Sequence, residues 1–246
     1  MENNSPDYVY KNVTQINDVD ASKKYLANVF LWMFGALAIS AIFAYEFFIT
    51  PSLLGLIVQP TVNGGLAYTG LGYVAVFSPL VFSMVISFGF NRISYPVMVF
   101  LFLAYAVVIG ISFSVLGIVY TSSSIFGVFL SSAVVFGIMA IAGYTTSIDL
   151  SKMGSILMMV FFGAFAVSII NFFLGSAQLQ YIISFVFVIL MIGLTAYYMQ
   201  MLKRIGAGIE YGAEESKKLV VIGAFILYTT FINLFISMLR IFGRRN

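Results

Sequence analysis

Seven long apolar runs alternate along the chain with short polar breaks. They cover residues 25–49, 68–90, 95–119, 123–145, 153–176, 178–202 and 219–241. Roughly 20 mostly apolar residues suffice for a helix to cross the hydrocarbon core of a bilayer, so each run predicts one transmembrane helix. The breaks carry turn formers. Thr50-Pro51 ends the first run, and Pro60, Asn63, Gly64 and Gly65 mark a turn before the second. The stretch 53–58 is apolar but too short to span, and reads as an interfacial segment beside that turn. Several connections are short, which forces neighbouring helices to run antiparallel. The pattern predicts an all-α transmembrane bundle over residues 25–246, preceded by a polar segment, residues 1–24.

Composition fixes the solvent. Of the 246 residues, 61% are hydrophobic and only 9% charged, against roughly 25% charged in an ordinary soluble domain. So few charges could not cover so much apolar surface in water. The polar segment carries Glu2, Asp7, Asp18 and Asp20 and has no basic stretch leading into a short apolar core. It therefore does not read as a cleaved signal, and the first run is expected to be a permanent span.

Charge then gives an orientation. Lys11, Lys23 and Lys24 precede the first run, Arg92 follows the second, and Lys152 follows the fourth. Lys203, Arg204, Lys217 and Lys218 lie between the sixth and seventh. The alternate connections hold no basic residue, so the positive-inside bias makes the N-terminus cytoplasmic. Arg240, Arg244 and Arg245 conflict with it, because seven crossings put them outside. Residues 219–239 are nonetheless about 30 Å of helix, and a full crossing is expected. The net charge of +3 thus reads as a topology signal, not as a nucleic-acid surface.

Polar residues inside a span are costly unless partnered. The last run carries Gly223, Thr230, Asn233 and Ser237, the last three on one helical face. That stripe fits either a cavity wall or a helix packed at the bundle centre. The fifth run has Ser168, Asn171 and Gly175, the third has Gly110, Ser114 and Gly117, and the sixth has Gly193, Tyr197 and Gln200. The third set reads as helix–helix contact, where small residues let backbones approach. Glu46, on an aromatic-rich helix end, marks either an external mouth with a cation contact or simple exposure.

Missing residues exclude several chemistries. With no cysteine and no histidine, disulfides, thiol nucleophiles, histidine-assisted serine proteolysis and zinc hydrolysis are out. No aspartate pair sits at membrane depth, no lysine sits mid-way along the last run, and no phosphate-binding GxxxxGKS loop is present. An enzyme is not expected, and neither is a bound cofactor or a resident metal.

Several segments then resemble one family. FGIMAIAGYTTSIDLSKMGSILMM (136–159), Asn171 in SIINFFLGS, LTAYYMQMLKRI (194–205) and LYTTFINLFISMLRIFG (227–243) are similar to stretches of the Bax inhibitor-1 family. LAYAVVIGISFS (103–114) matches in style, and the likeness runs from about residue 22 to the end. The resemblance implies a seven-helix bundle with the C-terminal helix at its centre. It also implies a pH-dependent calcium leak and a part in stress and cell death. In that family, two aspartates on the sixth and seventh helices form a proton-sensitive gate. Tyr198 and Thr230 stand at those positions here, and neither titrates near neutrality. The family fold is expected with its pH switch lost or moved, and with a Tyr198–Thr230 hydrogen bond joining the two helices.

The functional expectation is a cation leak, with calcium as transient ligand. Tyr198 and Thr230 mark its gate, and Thr230, Asn233, Asn171 and Glu46 supply oxygens. The alternative is a non-conducting regulator that binds a protease or another membrane protein. A secondary transporter is disfavoured, because no paired broken helices stand out. The expected location is a bacterial inner membrane.

Overall fold

The computed structural model describes residues 18–61, 65–89, 92–208 and 214–246. Glu2, Asp7, Lys11, Asn63, Gly64 and residue 90, used above, lie outside them. The chain forms α1 (Asp18–Ile49), α2 (Pro51–Ile57), β1 (Val58–Pro60), β2 (Leu66–Tyr68), α3 (Gly70–Gly89) and α4 (Tyr95–Phe113). The rest is α5 (Leu116–Val119), α6 (Ser122–Thr145), α7 (Ser151–Leu174), α8 (Ala177–Ala207) and α9 (Glu214–Phe242).

Among the described residues, six stretches are long and apolar enough to cross a membrane: α1, α4 with α5, α6, α7, α8 and α9. α3 is also apolar but shorter. The 53–58 segment is helix to Ile57 and strand at Val58. One sequence expectation needs correction here. Tyr68 does not begin a span, because it pairs with Val58 in an antiparallel hairpin. Pro60 ends β1, and the Thr61 amide beyond it donates to the Gly65 carbonyl at 2.7 Å.

The breaks have local causes. Pro51 opens α2 and Pro96 opens α4, as proline's fixed φ allows in a first turn. Pro79 lies inside α3 and has no amide for the carbonyl four residues back. That carbonyl, on Ala75, accepts the Ser112 hydroxyl of α4 at 2.7 Å and the Ser78 hydroxyl at 3.4 Å. Where water does not reach such a carbonyl, a side-chain donor takes the place of the missing amide. Gly175 ends α7 in the left-handed region, φ 65°, and the Ser176 hydroxyl caps α8 by accepting the Leu179 amide.

Burial differs sharply between helices. In the most apolar stretch of each, 61% of α9 is buried against 6% of α7. α9 packs against α1, α4, α6 and α8, whereas α7 packs on α8. The third-run glycines act as contact points: a Cβ on Gly110 would meet Phe43 and Ser40 of α1, and one on Gly117 the Phe48 ring. α9 is one unbroken helix of 29 residues, about 43 Å long. It begins beside the start of α4, where the Tyr95 amide donates to Glu214. It ends beside the α5–α6 connection, where Tyr120 and Arg245 form a β-bridge. The chain's last residues thus lie at the far end of the bundle from the start of α1.

Candidate functional site

Three consecutive residues of α9 carry hydroxyls, and they point to three different neighbours. Tyr228 meets Ser40 of α1, oxygen to oxygen, at 2.6 Å. Ser40 also donates toward the Ala106 carbonyl of α4 at 2.7 Å and the Ala36 carbonyl at 3.0 Å. Thr229 faces Tyr105 of α4 at 3.5 Å, the outer limit of such a contact. Thr230 donates to the Ile226 carbonyl of its own helix at 2.8 Å. Phe102, Tyr105, Phe225 and Tyr228 interlock edge-to-face beside them, with centroids 5.1–6.2 Å apart.

Beyond Thr230 a cavity of about 240 Å³ opens between α7, α8 and α9. Tyr198, Thr229, Thr230 and Asn233 give it its oxygens, and Met158, Phe161, Met191, Leu194, Phe225 and Ile226 complete the wall. The structure therefore brings together three of the five sequence candidates: Tyr198, Thr230 and Asn233. The expected Tyr198–Thr230 hydrogen bond is not formed. The Tyr198 hydroxyl donates to the Met158 sulfur at 3.2 Å. A threonine in a helix has the carbonyl of the preceding turn within reach, and Thr230 uses it. Asn233 does likewise, donating to the Thr229 carbonyl at 3.0 Å. Its carboxamide oxygen and the Tyr198 phenol oxygen can both accept on the wall.

Asn171 and Glu46 lie elsewhere. Asn171 is buried but holds the α7–α8 turn: it donates to the Ser176 carbonyl and to Gln180, and accepts the Ser176 amide. Its spacing to Gly175 and Ser176 is that of a helix-ending turn, a signal present in the sequence. Glu46 is exposed near the end of α1.

A second polar centre sits at the end of the bundle where α1 begins. Gln200 donates to the Ile148 carbonyl at 2.7 Å and accepts the Leu150 amide at 2.9 Å. Arg204 reaches Asp149 at 2.8 Å and Ser151 at 3.1 Å. The Ser151 hydroxyl, then Arg204, hold the Asp149 carboxyl down at about 2. Lys203 donates to the Tyr144 carbonyl at 2.8 Å and lies over the Tyr144 ring. The α6–α7 connection is thereby clamped to α8. Only Gln200 of this group drew attention as an interior residue; the clamp itself depends on pairs about 50 residues apart.

The sequence model of the family described as inhibitor of apoptosis-promoting Bax1 matches residues 22–246. The inner membrane protein YbhL of Escherichia coli K12 is 35% identical over 223 residues, 90% of this chain and 92% of its own. A Borreliella burgdorferi protein is 34% identical over 222 residues, 90% and 92% of the two chains. One from Deinococcus radiodurans is 32% identical over 235 residues, 95% and 96%.

Proposed function

The chain belongs to the Bax inhibitor-1 family, and on that premise we propose that it is a multi-pass membrane protein carrying a cation leak path along α9. Calcium is the ion of choice, since hydroxyl and carboxamide oxygens suit a hard cation. The carrying observation is the single cavity that gathers Tyr198, Thr229, Thr230 and Asn233 on one side of α9. α3 completes the bundle as a seventh crossing: its 20 residues make about 30 Å of helix. α9 then stands at the centre. The lysine-rich end faces the cytoplasm, and YbhL, by name an inner membrane protein, suggests the same membrane here. Glu46 stands at the opposite end as an outer contact for the cation.

No carboxylate lines the cavity. Two acids side by side share a proton and titrate near neutrality; a phenol, two alcohols and an amide do not. The leak is therefore flat with pH between about 6 and 8. Reconstitution in liposomes with an enclosed calcium dye tests this. Flux above empty vesicles, reduced several-fold by Asn233→Leu, is the expected result. No flux at any pH in that window sinks the conducting reading.

A second reading has its own observation. Six of the ten wall residues are apolar, and a hydrated ion is poorly served there. On this reading the protein is a non-conducting regulator bound to a membrane protease or another membrane partner. Absence of flux together with co-purification of one defined membrane protein favours it.

A further inference from the structure

A further concavity lies on the opposite side of α9 from the proposed leak path. It is a groove of about 830 Å³ between α1 and α6. Its walls are Leu26, Phe30 and Leu37 on one side and Ala133, Gly137 and Ala140 on the other, and Phe231 of α9 lies at its base. A second cavity of about 510 Å³ shares Leu37, Ala41 and Phe129 with it and continues toward Tyr45 and Ser122 at the far end. The two form one apolar trough along the bundle. α1 and α6 both pack on α8 and α9, so the trough is a built gap between anchored helices.

One end of the trough is charged. Lys23 lines it there, beside Tyr144. Lys203 stands behind Tyr144, with its ammonium on the Tyr144 carbonyl at 2.8 Å. An ammonium has three donors, and that carbonyl takes one. Lys23 also pairs with Asp20 at 3.6 Å, both side chains mostly exposed and so weakly held, while Asp149 at the same end is held by Arg204. The trough lining toward Tyr45 and Ser122 contains no charged residue.

An apolar channel along the membrane normal, with ammonium groups at one mouth, complements a molecule with a long hydrocarbon tail and an anionic head. A transmembrane helix with an apolar flank fits worse, because it leaves the ammonium groups at that mouth without an anion. We propose that the α1–α6 trough is a binding site for one anionic phospholipid. Its acyl chain lies over Phe231 and Gly137, and its phosphate sits at Lys23 and Lys203. The lipid comes from the leaflet at the lysine-rich end.

Photolabelling tests the site. The full chain is placed in phosphatidylcholine vesicles with a trace of phosphatidylglycerol bearing a diazirine on its acyl chain, and adducts are mapped. α7 supplies the internal reference, because Ile156, Met159 and Phe162 face outward and meet only bulk lipid. Adducts on groove positions of α1 and α6 should exceed those on α7 several-fold. Excess phosphatidylglycerol should compete them away, and phosphatidylcholine should not. Gly137→Phe places a ring in the trough, where a Cβ meets nothing within 4 Å. It should cut groove adducts several-fold and leave α7 unchanged. Lys23→Gln should lower the preference for phosphatidylglycerol about five-fold, the worth of one lysine near an anionic surface. Equal labelling of groove and α7, or labelling unmoved by Gly137→Phe, overturns the proposal. So does a cross-link between two copies through the trough.

Discussion

Ser112 of α4 donates its hydroxyl, at 2.7 Å, to the Ala75 carbonyl that Pro79 leaves without an amide. One helix thus repairs a break in the next. Ser112→Ala should cost about 1 kcal/mol, or a melting shift of about 2–4 °C. In a Pro79→Ala background the residue at 79 regains its amide, and the same substitution should cost almost nothing. Thermal unfolding of the four proteins of this cycle in detergent measures the difference.

Ser40 and Tyr228 are an unequal pair. Tyr228→Phe leaves Ser40 with the Ala106 and Ala36 carbonyls, so only a modest loss is expected, about 0.5–1 kcal/mol. Ser40→Ala strands a buried phenol, and the loss should rise to about 1–3 kcal/mol. An equal effect of the two substitutions on unfolding would contradict the assigned geometry.

Two glycines of one helix should respond to alanine with opposite signs. A Cβ on Gly143 would meet the Ala196 backbone of α8, with Cα at 2.6 Å. Gly143→Ala must push α6 from α8, at about 1–3 kcal/mol. Gly137 faces open space, so Gly137→Ala should gain up to about 1 kcal/mol from helix propensity. Melting temperatures of the two single variants, side by side, decide it.

Most of the bundle was legible because hydrocarbon demands long, self-satisfied helices, and apolar runs of that length have few other uses. The stop at Thr50-Pro51 and the contacts of Gly110 and Gly117 followed from local chemistry. The hairpin at Val58 and Tyr68 did not, since three-residue strands give no usable period. The cavity was half legible: Thr230 and Asn233 share a helical face, whereas Tyr198 entered through family resemblance alone. Asn171 shows how a correct spacing misleads. It is buried, but as a turn-holder. Tyr228 and Ser40, 188 residues apart, could only be joined by the fold.

Asp149 gives the α6–α7 clamp a pH dependence with a definite sign. Its carboxyl titrates at about 2 in the fold, below its ordinary 3.8. Its contribution is therefore complete above the ordinary value and is lost as pH falls toward 2. Asp149 is exposed, so the effect is small. Asp149→Asn should lower the melting temperature by about 1–2 °C at neutral pH. The wild type should fall to meet it between pH 3.8 and 2.

Restoring the acids should restore the switch. Tyr198→Asp with Thr230→Asp places two carboxyls on the wall of one cavity, where they share a proton and one titrates near neutrality. Calcium flux through the double variant should change between about pH 6 and 8, while either single variant remains flat. Flux assays across that range in liposomes provide the check.

α7 touches the rest of the protein along one edge, and 6% of its most apolar stretch is buried. Lipid is thus its principal neighbour, and lipid does not distinguish isoleucine from phenylalanine by shape. Its outward positions are free to drift among apolar residues, and saturation mutagenesis there should return a nearly blank record. The same experiment on α9 would find its buried positions answering to residues on other helices. Divergent copies of this chain should therefore differ first in α7 and last in α9.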